Sequence, residues 1–160
     1  DSVVIWAVLP PEVRRVTRPV AARDYWLAGR VRRYLATREF NAVLIERALT
    51  GYHHNPVDDL VEAMGTRHSL ILFPEGQRGT EPEPRPFRSG LYHLAQRRAD
   101  VDLVPVYLSS LERVMPRGSL VPVPLQSEVI FGAPIRIGEG EGRQEFLERA
   151  REAVRSLRPR

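Results

Sequence analysis

The sequence predicts an α/β fold: a mixed, partly parallel sheet flanked by helices. Two observations carry this reading. Short apolar runs alternate along the chain with longer stretches whose apolar residues recur at helical spacing. Strand–helix units repeated at this length imply layered packing with parallel pairing. Several of the runs also stop abruptly at Pro, Gly or charged residues, as strands do when they leave a sheet.

In chain order, the opening run Val3 to Leu9 is wholly apolar, and Trp6 within it is expected in the core. Val16 to Ala22 reads as a strand. It precedes a helix on which Leu27, Val31, Tyr34 and Leu35 share one face while Arg30, Arg32 and Arg33 fall elsewhere. Ala42 to Ile45 is a short buried strand. Asn55-Pro56-Val57-Asp58-Asp59 then has the chemistry of a helix start: a capping amide, a proline at the first helical position and acids in the first turn. Val57, Leu60, Val61 and Met64 supply that helix's buried face, and Gly65 stops it. Leu70 to Phe73 is a buried strand, and a helix carrying Phe87, Leu91, Leu94 and Ala95 follows. Leu103 to Leu108 is a strand interrupted by Pro105, which requires an edge or a bulge. Val129 to Phe131 and Ile135 to Ile137 are short strands, and a closing helix carries Phe146, Leu147, Ala150, Val154 and Leu157. The loop Thr80 to Pro86, rich in Pro and Glu, is expected to be mobile.

A chain of 160 residues forms one domain with a real core. The 42% apolar and 28% charged fractions are those of an ordinary globular chain. There is no cysteine, which excludes disulfides, thiolate catalysis and cysteine-built zinc sites. No apolar run approaches the roughly 18 residues that span a bilayer. The net charge is +4, and all 24 basic residues are arginine. That bias fits a GC-rich genome and equally suits phosphates, anionic lipid or an acidic carrier protein, because the planar guanidinium bonds two oxygens at once.

The most informative stretch is Phe73-Pro74-Glu75-Gly76-Gln77-Arg78-Gly79, followed by Pro86-Phe87-Arg88-Ser89-Gly90. An apolar strand delivers a carboxylate, a glycine and an arginine at its exit, where α/β proteins bind ligands. Arg78 and Arg88 flank the turn as a possible phosphate cradle. Taken alone, Arg47 reads more readily as a solvated or salt-bridged strand end, Glu75 with Arg78 as a loop ion pair, and Arg88 as a solvated residue at a helix start.

Together these residues resemble the PlsC-type glycerolipid acyltransferases, the 1-acylglycerol-3-phosphate acyltransferase family. That family has four ordered blocks. Of its His-x4-Asp, Asp1 corresponds to the final residue. Its strand ending in an acid and an arginine is matched by Ile45-Glu46-Arg47. Phe-Pro-Glu-Gly-Thr-Arg is matched by Phe73 to Arg78 with Gln77 for Thr, and Phe-Lys-x-Gly by Phe87-Arg88-Ser89-Gly90. Val-Pro-Val is matched by Val104-Pro105-Val106. The order holds across nearly the whole chain.

The resemblance implies a glycerolipid acyltransferase-like fold over residues 1–160, truncated within the first block, so that the chain alone lacks its general base. It implies fatty acyl transfer from an acyl thioester, acyl-CoA or acyl carrier protein, to a hydroxyl of a glycerol phosphate or lysophospholipid. A histidine would deprotonate that hydroxyl, steadied by Asp1, while Arg47 and Arg78 anchor the phosphate and Glu75 positions the glycerol. Gly76 would let the backbone approach the ligand. No cofactor and no metal are implied. The partners would include a membrane surface, at its cytoplasmic face, with Trp6, Tyr25, Trp26, Arg14, Arg15 and Arg18 as an interfacial patch.

A second His-x4-Asp, His53 to Asp58, lies after the Arg47 block and is already explained by the helix start. Two rival classes differ: a catalytically silent homologue that binds lipid or acyl carrier, and an arginine-rich nucleic-acid binder. The latter lacks any helix-turn-helix, zinc or aromatic-basic strand motif, so no nucleic-acid partner is expected.

Overall fold

The computed structural model describes residues 2–22, 34, 41–45, 55–76, 83–109 and 128–159. They gather into two compact units, Ser2–Pro74 and Glu75–Arg160.

The first unit is built on strand β1 (Thr17–Ala22). Its first half pairs in parallel with β3 (Ser69–Ile71), Thr17 opposite Ser69 and Pro19 opposite Ile71. Its second half pairs in parallel with β2 (Val43–Ile45), Val20 opposite Val43 and Ala22 opposite Ile45. The handover falls at Pro19, the residue with no amide hydrogen for a ladder. The order is therefore β2-β1-β3. All three strands run the same way, so β2 and β3 deliver the chain at one end of the sheet, with exits offset by three residues, about 10 Å.

Two short helices precede the sheet, α1 (Ser2–Val8) and α2 (Pro11–Val16). Helix α1 packs on β1 and β3 through Ile5, which is buried. Trp6 is only half-buried, with the Arg14 guanidinium 5.0 Å above its ring, so it is not the core residue expected from its apolar run. Thr17, at the start of β1, is buried because its hydroxyl donates to the Val13 carbonyl at 2.8 Å. Tyr34 is helical but 57% exposed, which takes it off the buried face expected for its helix. The rest of that helix lies outside the described residues.

Helix α3 (Pro56–Met64) forms as its sequence dictates. The Asn55 side chain accepts from the Val57 amide at 3.0 Å, Pro56 opens the first turn, and Gly65 closes the helix at φ +50°. Val57, Leu60 and Met64 are buried, and the helix packs on β2 and β3. Asp58 lies in the first turn, as expected of a helix-start acid. Strand β3 stops at Ile71, two residues short of the expected Phe73, which is 38% exposed.

In the second unit, helix α4 (Gly90–Arg97) packs against helix α5 (Arg143–Arg155), and α5 packs on strand β4 (Val106–Ser109). Phe146 is fully buried, and Leu94, Ala95 and Ala150 are buried as well. Phe87 lies ahead of α4 and Leu157 beyond α5, so each helix is shorter than its apolar spacing suggested. Strand β4 pairs antiparallel with β5 (Glu128–Phe131). Pro105 interrupts the ladder as its missing amide requires: its carbonyl accepts from Gly132 at 2.8 Å, and Leu103 pairs with Ile135 only as an isolated bridge. Among the described residues no helix is long and apolar enough to cross a membrane.

Candidate functional site

The chain leaves β3 through Leu72 and Phe73 into the turn Pro74-Glu75-Gly76, where Gly76 takes φ +75°. Only glycine adopts that region without steric cost. Glu75 is half-buried, and its carboxylate Oε2 accepts the Arg85 amide at 2.9 Å. Its main-chain carbonyl accepts Arg88 Nε at 3.2 Å. The segment ahead of α4 thus grips the turn at the side chain and at the backbone of one residue.

Arg88 lies directly over Gly76. A Cβ there would come within 2.7 Å of Arg88 Cδ and nearer still to Nε. The glycine makes room for a guanidinium of this chain. Arg88 is exposed, yet it is bonded rather than simply solvated. Among the described residues, the second carboxylate oxygen of Glu75 and the two terminal amino groups of Arg88 have no protein partner. One turn therefore offers an acceptor suited to a hydroxyl beside donors suited to a phosphate.

Asp1, Arg47 and Arg78, the other expected site residues, lie outside the described residues, as do Gln77, Tyr25 and Trp26. The chain leaves β2 two residues before Arg47 and β3 four residues before Glu75. Arg88, offered by the sequence both as half of a phosphate cradle and as a solvated helix-start residue, is the arginine that the structure brings to this turn. The signal for it was present in Phe87-Arg88-Ser89-Gly90, whose match to the Phe-Lys-x-Gly pattern places a cation there.

Two of the arginines named for an interfacial patch, Arg14 and Arg18, make hydrogen bonds within the chain. Arg14 donates to the carbonyls of Ala7 at 2.6 Å and Leu9 at 2.9 Å, at the end of α1. Arg18 donates to Asn41 at 2.9 Å and to Ala63, in the last turn of α3, at 3.0 Å. Both place a cation at the negative end of a helix dipole. A shallow depression of about 350 Å³ is lined by Tyr92, Gln96, Ile137 and the glycine-rich stretch Gly138 to Gly142. Its carboxylate, Glu141, is already held by Arg149 through two bonds of 2.7 Å and by the Gly138 amide at 2.8 Å. The Arg149 guanidinium holds the Glu141 carboxyl below its ordinary range, with the Gly138 amide contributing. Among the described residues no cluster of His, Asp and Glu is placed to hold a metal ion.

Fold and site define a class: an α/β protein with a parallel sheet in one unit and, in the other, a turn that gathers a carboxylate and a guanidinium. Within that class the chain belongs to the Acyltransferase family, whose sequence profile matches residues 1–109. It is 30% identical over 95 residues to 1-acyl-sn-glycerol-3-phosphate acyltransferase alpha of Homo sapiens, a match covering 59% of this chain and 32% of the relative. The proteins of the same name from Ovis aries and Bos taurus match to the same extent. The chain thus spans about a third of the length of the curated relatives it matches. No solved structure matches it significantly.

Proposed function

We propose that the chain carries the acceptor-binding part of an O-acyltransferase. The enzyme moves a fatty acyl group from an acyl thioester, acyl-CoA or acyl carrier protein, to the hydroxyl of a glycerol phosphate. The acceptor is 1-acyl-sn-glycerol-3-phosphate and the product phosphatidic acid. The observation that carries this reading is the Glu75 carboxylate, fixed through one oxygen and, among the described residues, without a partner at the other, beside Arg88 donors that likewise have none there. Family membership and the printed names of the relatives support it.

In this reaction the acceptor hydroxyl attacks the thioester carbonyl. A C–O bond forms, the C–S bond breaks, and the hydroxyl proton passes through a base to the departing thiolate. The base is a histidine steadied by Asp1. Glu75 accepts a hydrogen bond from the glycerol portion, and Arg47 and Arg78 hold the phosphate, which fixes the distance from phosphate to hydroxyl. Gly76 fixes the turn that presents Glu75. The enzyme works at the cytoplasmic face of a membrane, where its acceptor resides.

The test is acyl transfer by the full-length protein to 1-acylglycerol-3-phosphate, glycerol-3-phosphate and uncharged 1-acylglycerol. Glu75→Ala and Arg78→Ala should each lower kcat/KM for the phosphorylated acceptor by about 100-fold, the scale of one lost preorganised contact. Retention of activity in both variants sinks the site assignment. Lysophospholipid binding with no transfer to any acceptor identifies a silent homologue instead.

A further inference from the structure

The segment that grips Glu75 is itself held from the far end of the chain. Arg151, on α5, donates through Nε to the Pro84 carbonyl at 2.8 Å. The next nitrogen, the Arg85 amide, donates to Glu75 Oε2 at 2.9 Å. Pro84 C=O and Arg85 N–H belong to one peptide group, which is planar, with the two groups pointing in opposite directions. A cation thus grips one end of a rigid dipole, and the other end meets a carboxylate. Each bond polarises the amide in the sense that strengthens the other.

The sequence stiffens this connection. Pro84 has a fixed φ, and Arg85, preceding Pro86, is restricted to extended conformations. Arg155 adds an ion pair to Glu83, N–O 3.7 Å, one residue before the gripped peptide. The Arg151 side chain is 23% exposed, and α5 is seated on α4 and β4 through the buried Phe146 and Ala150. The anchor is therefore on a packed helix. This helix also lies beyond residues 1–109, the stretch that matches the family.

We propose that Arg151 is a positioning residue for the acceptor site, setting the Glu75 carboxylate through the single peptide group that joins Pro84 to Arg85. This rests on the reading of Glu75 as an acceptor ligand. Arg151 touches no substrate. It makes the orientation of Glu75 depend on the docking of α5.

The test uses full-length protein carrying Arg151→Ala, Arg151→Lys and Glu75→Gln, the double variant Arg151→Ala/Glu75→Gln, and Arg149→Ala as a control on the same helix. Arg151→Ala should raise the acceptor KM about 10-fold, the scale of one charge-assisted hydrogen bond, and leave the donor KM unchanged. Arg151→Lys should recover part of the loss, and Arg149→Ala should leave the acceptor KM in place. On the Glu75→Gln background Arg151→Ala should add less than about twofold, because the two residues act through one contact. An undiminished effect on that background, an equal effect from Arg149→Ala, or wild-type behaviour of Arg151→Ala overturns the proposal.

Hydrogen exchange supplies a readout independent of activity. Neither Pro84 nor Pro86 carries an amide, so Arg85 exchange stands out in mass spectra of peptides covering residues 83–86. Its rate should rise about 10-fold in Arg151→Ala. An unchanged rate overturns the relay whether or not the protein transfers acyl groups. Failure of transfer in the wild type bears on the proposed function alone.

Discussion

Replacing Gly76 by alanine tests the turn in which Glu75 sits, and its cost divides into two parts. The first is conformational: at φ +75° an L-residue with a Cβ loses about 1–2 kcal/mol. The second is steric, since the new Cβ falls within 2.7 Å of Arg88 Cδ. Arg88 is exposed and flexible, so it can swing aside. The steric cost is then capped at what it gives up, its 3.2 Å bond to the Glu75 carbonyl, about 0.5–1 kcal/mol. The sum is about 1.5–3 kcal/mol, or roughly 3–12 °C in Tm for a chain of this size. Urea melts of wild type, Gly76→Ala, Arg88→Ala and the double variant separate the parts. Arg88→Ala alone should cost about 0.5–1 kcal/mol, and Gly76→Ala made on it should then cost only the conformational part. A double variant whose loss equals the sum of the singles refutes the contact between Arg88 and Gly76. A loss below about 0.5 kcal/mol in Gly76→Ala refutes the left-handed turn as well.

Two further outcomes concern stability. Asn55→Ala removes the acceptor of the Val57 amide and should cost about 1 kcal/mol in urea melts, with Asn55→Ser close to wild type. Arg149→Met removes the fork that lowers the Glu141 pKa and should cost about 1–2 kcal/mol at neutral pH, modest because the Arg149 side chain is 42% exposed. A depressed carboxyl stabilises the fold above its unfolded pKa and loses that contribution as pH falls through its folded value. The gap between wild type and Arg149→Met should therefore close below the ordinary value of 4.5, and a gap constant from pH 7 to pH 3 excludes this origin.

Sequence reasoning succeeded where a residue acts on its immediate neighbours. Asn55 and Pro56 announce α3 because capping and the first-turn proline are local chemistry. Pro105 announces an interrupted ladder because the missing amide is its own. The run Val3 to Leu9 carries no such signal: apolar at every position, it has neither a helical nor a strand period, and only packing on β1 and β3 shows it to be helical. Phe73 looked like strand interior, but it precedes Pro74, and β3 has already ended at Ile71. Within the site, Glu75 was visible from its motif, whereas the grip upon it was not. Arg151 lies 67 residues from Pro84, and no spacing rule connects a helix arginine to a loop carbonyl at that distance.

The Pro- and Glu-rich loop Thr80 to Pro86 is described from Glu83 onward, where proline has a second consequence. Proline does mark loops, but it also removes backbone freedom, so a proline-flanked residue loses less entropy when it is fixed. In Glu83-Pro84-Arg85-Pro86 three residues have partners: Glu83 pairs with Arg155, the Pro84 carbonyl with Arg151, and the Arg85 amide with Glu75. The two prolines leave Arg85 as the amide able to donate between them, so the bond to Glu75 has no competitor one residue to either side. The glycine at 76 is the opposite device, maximal freedom where the chain must turn left-handed beneath Arg88. On the proposed reading of Glu75 as an acceptor ligand, its carboxylate has to be held in place by its supporting contacts. Freedom at Gly76 alone would leave Glu75 loose, and the rigid peptide from Pro84 to Arg85 supplies the constraint.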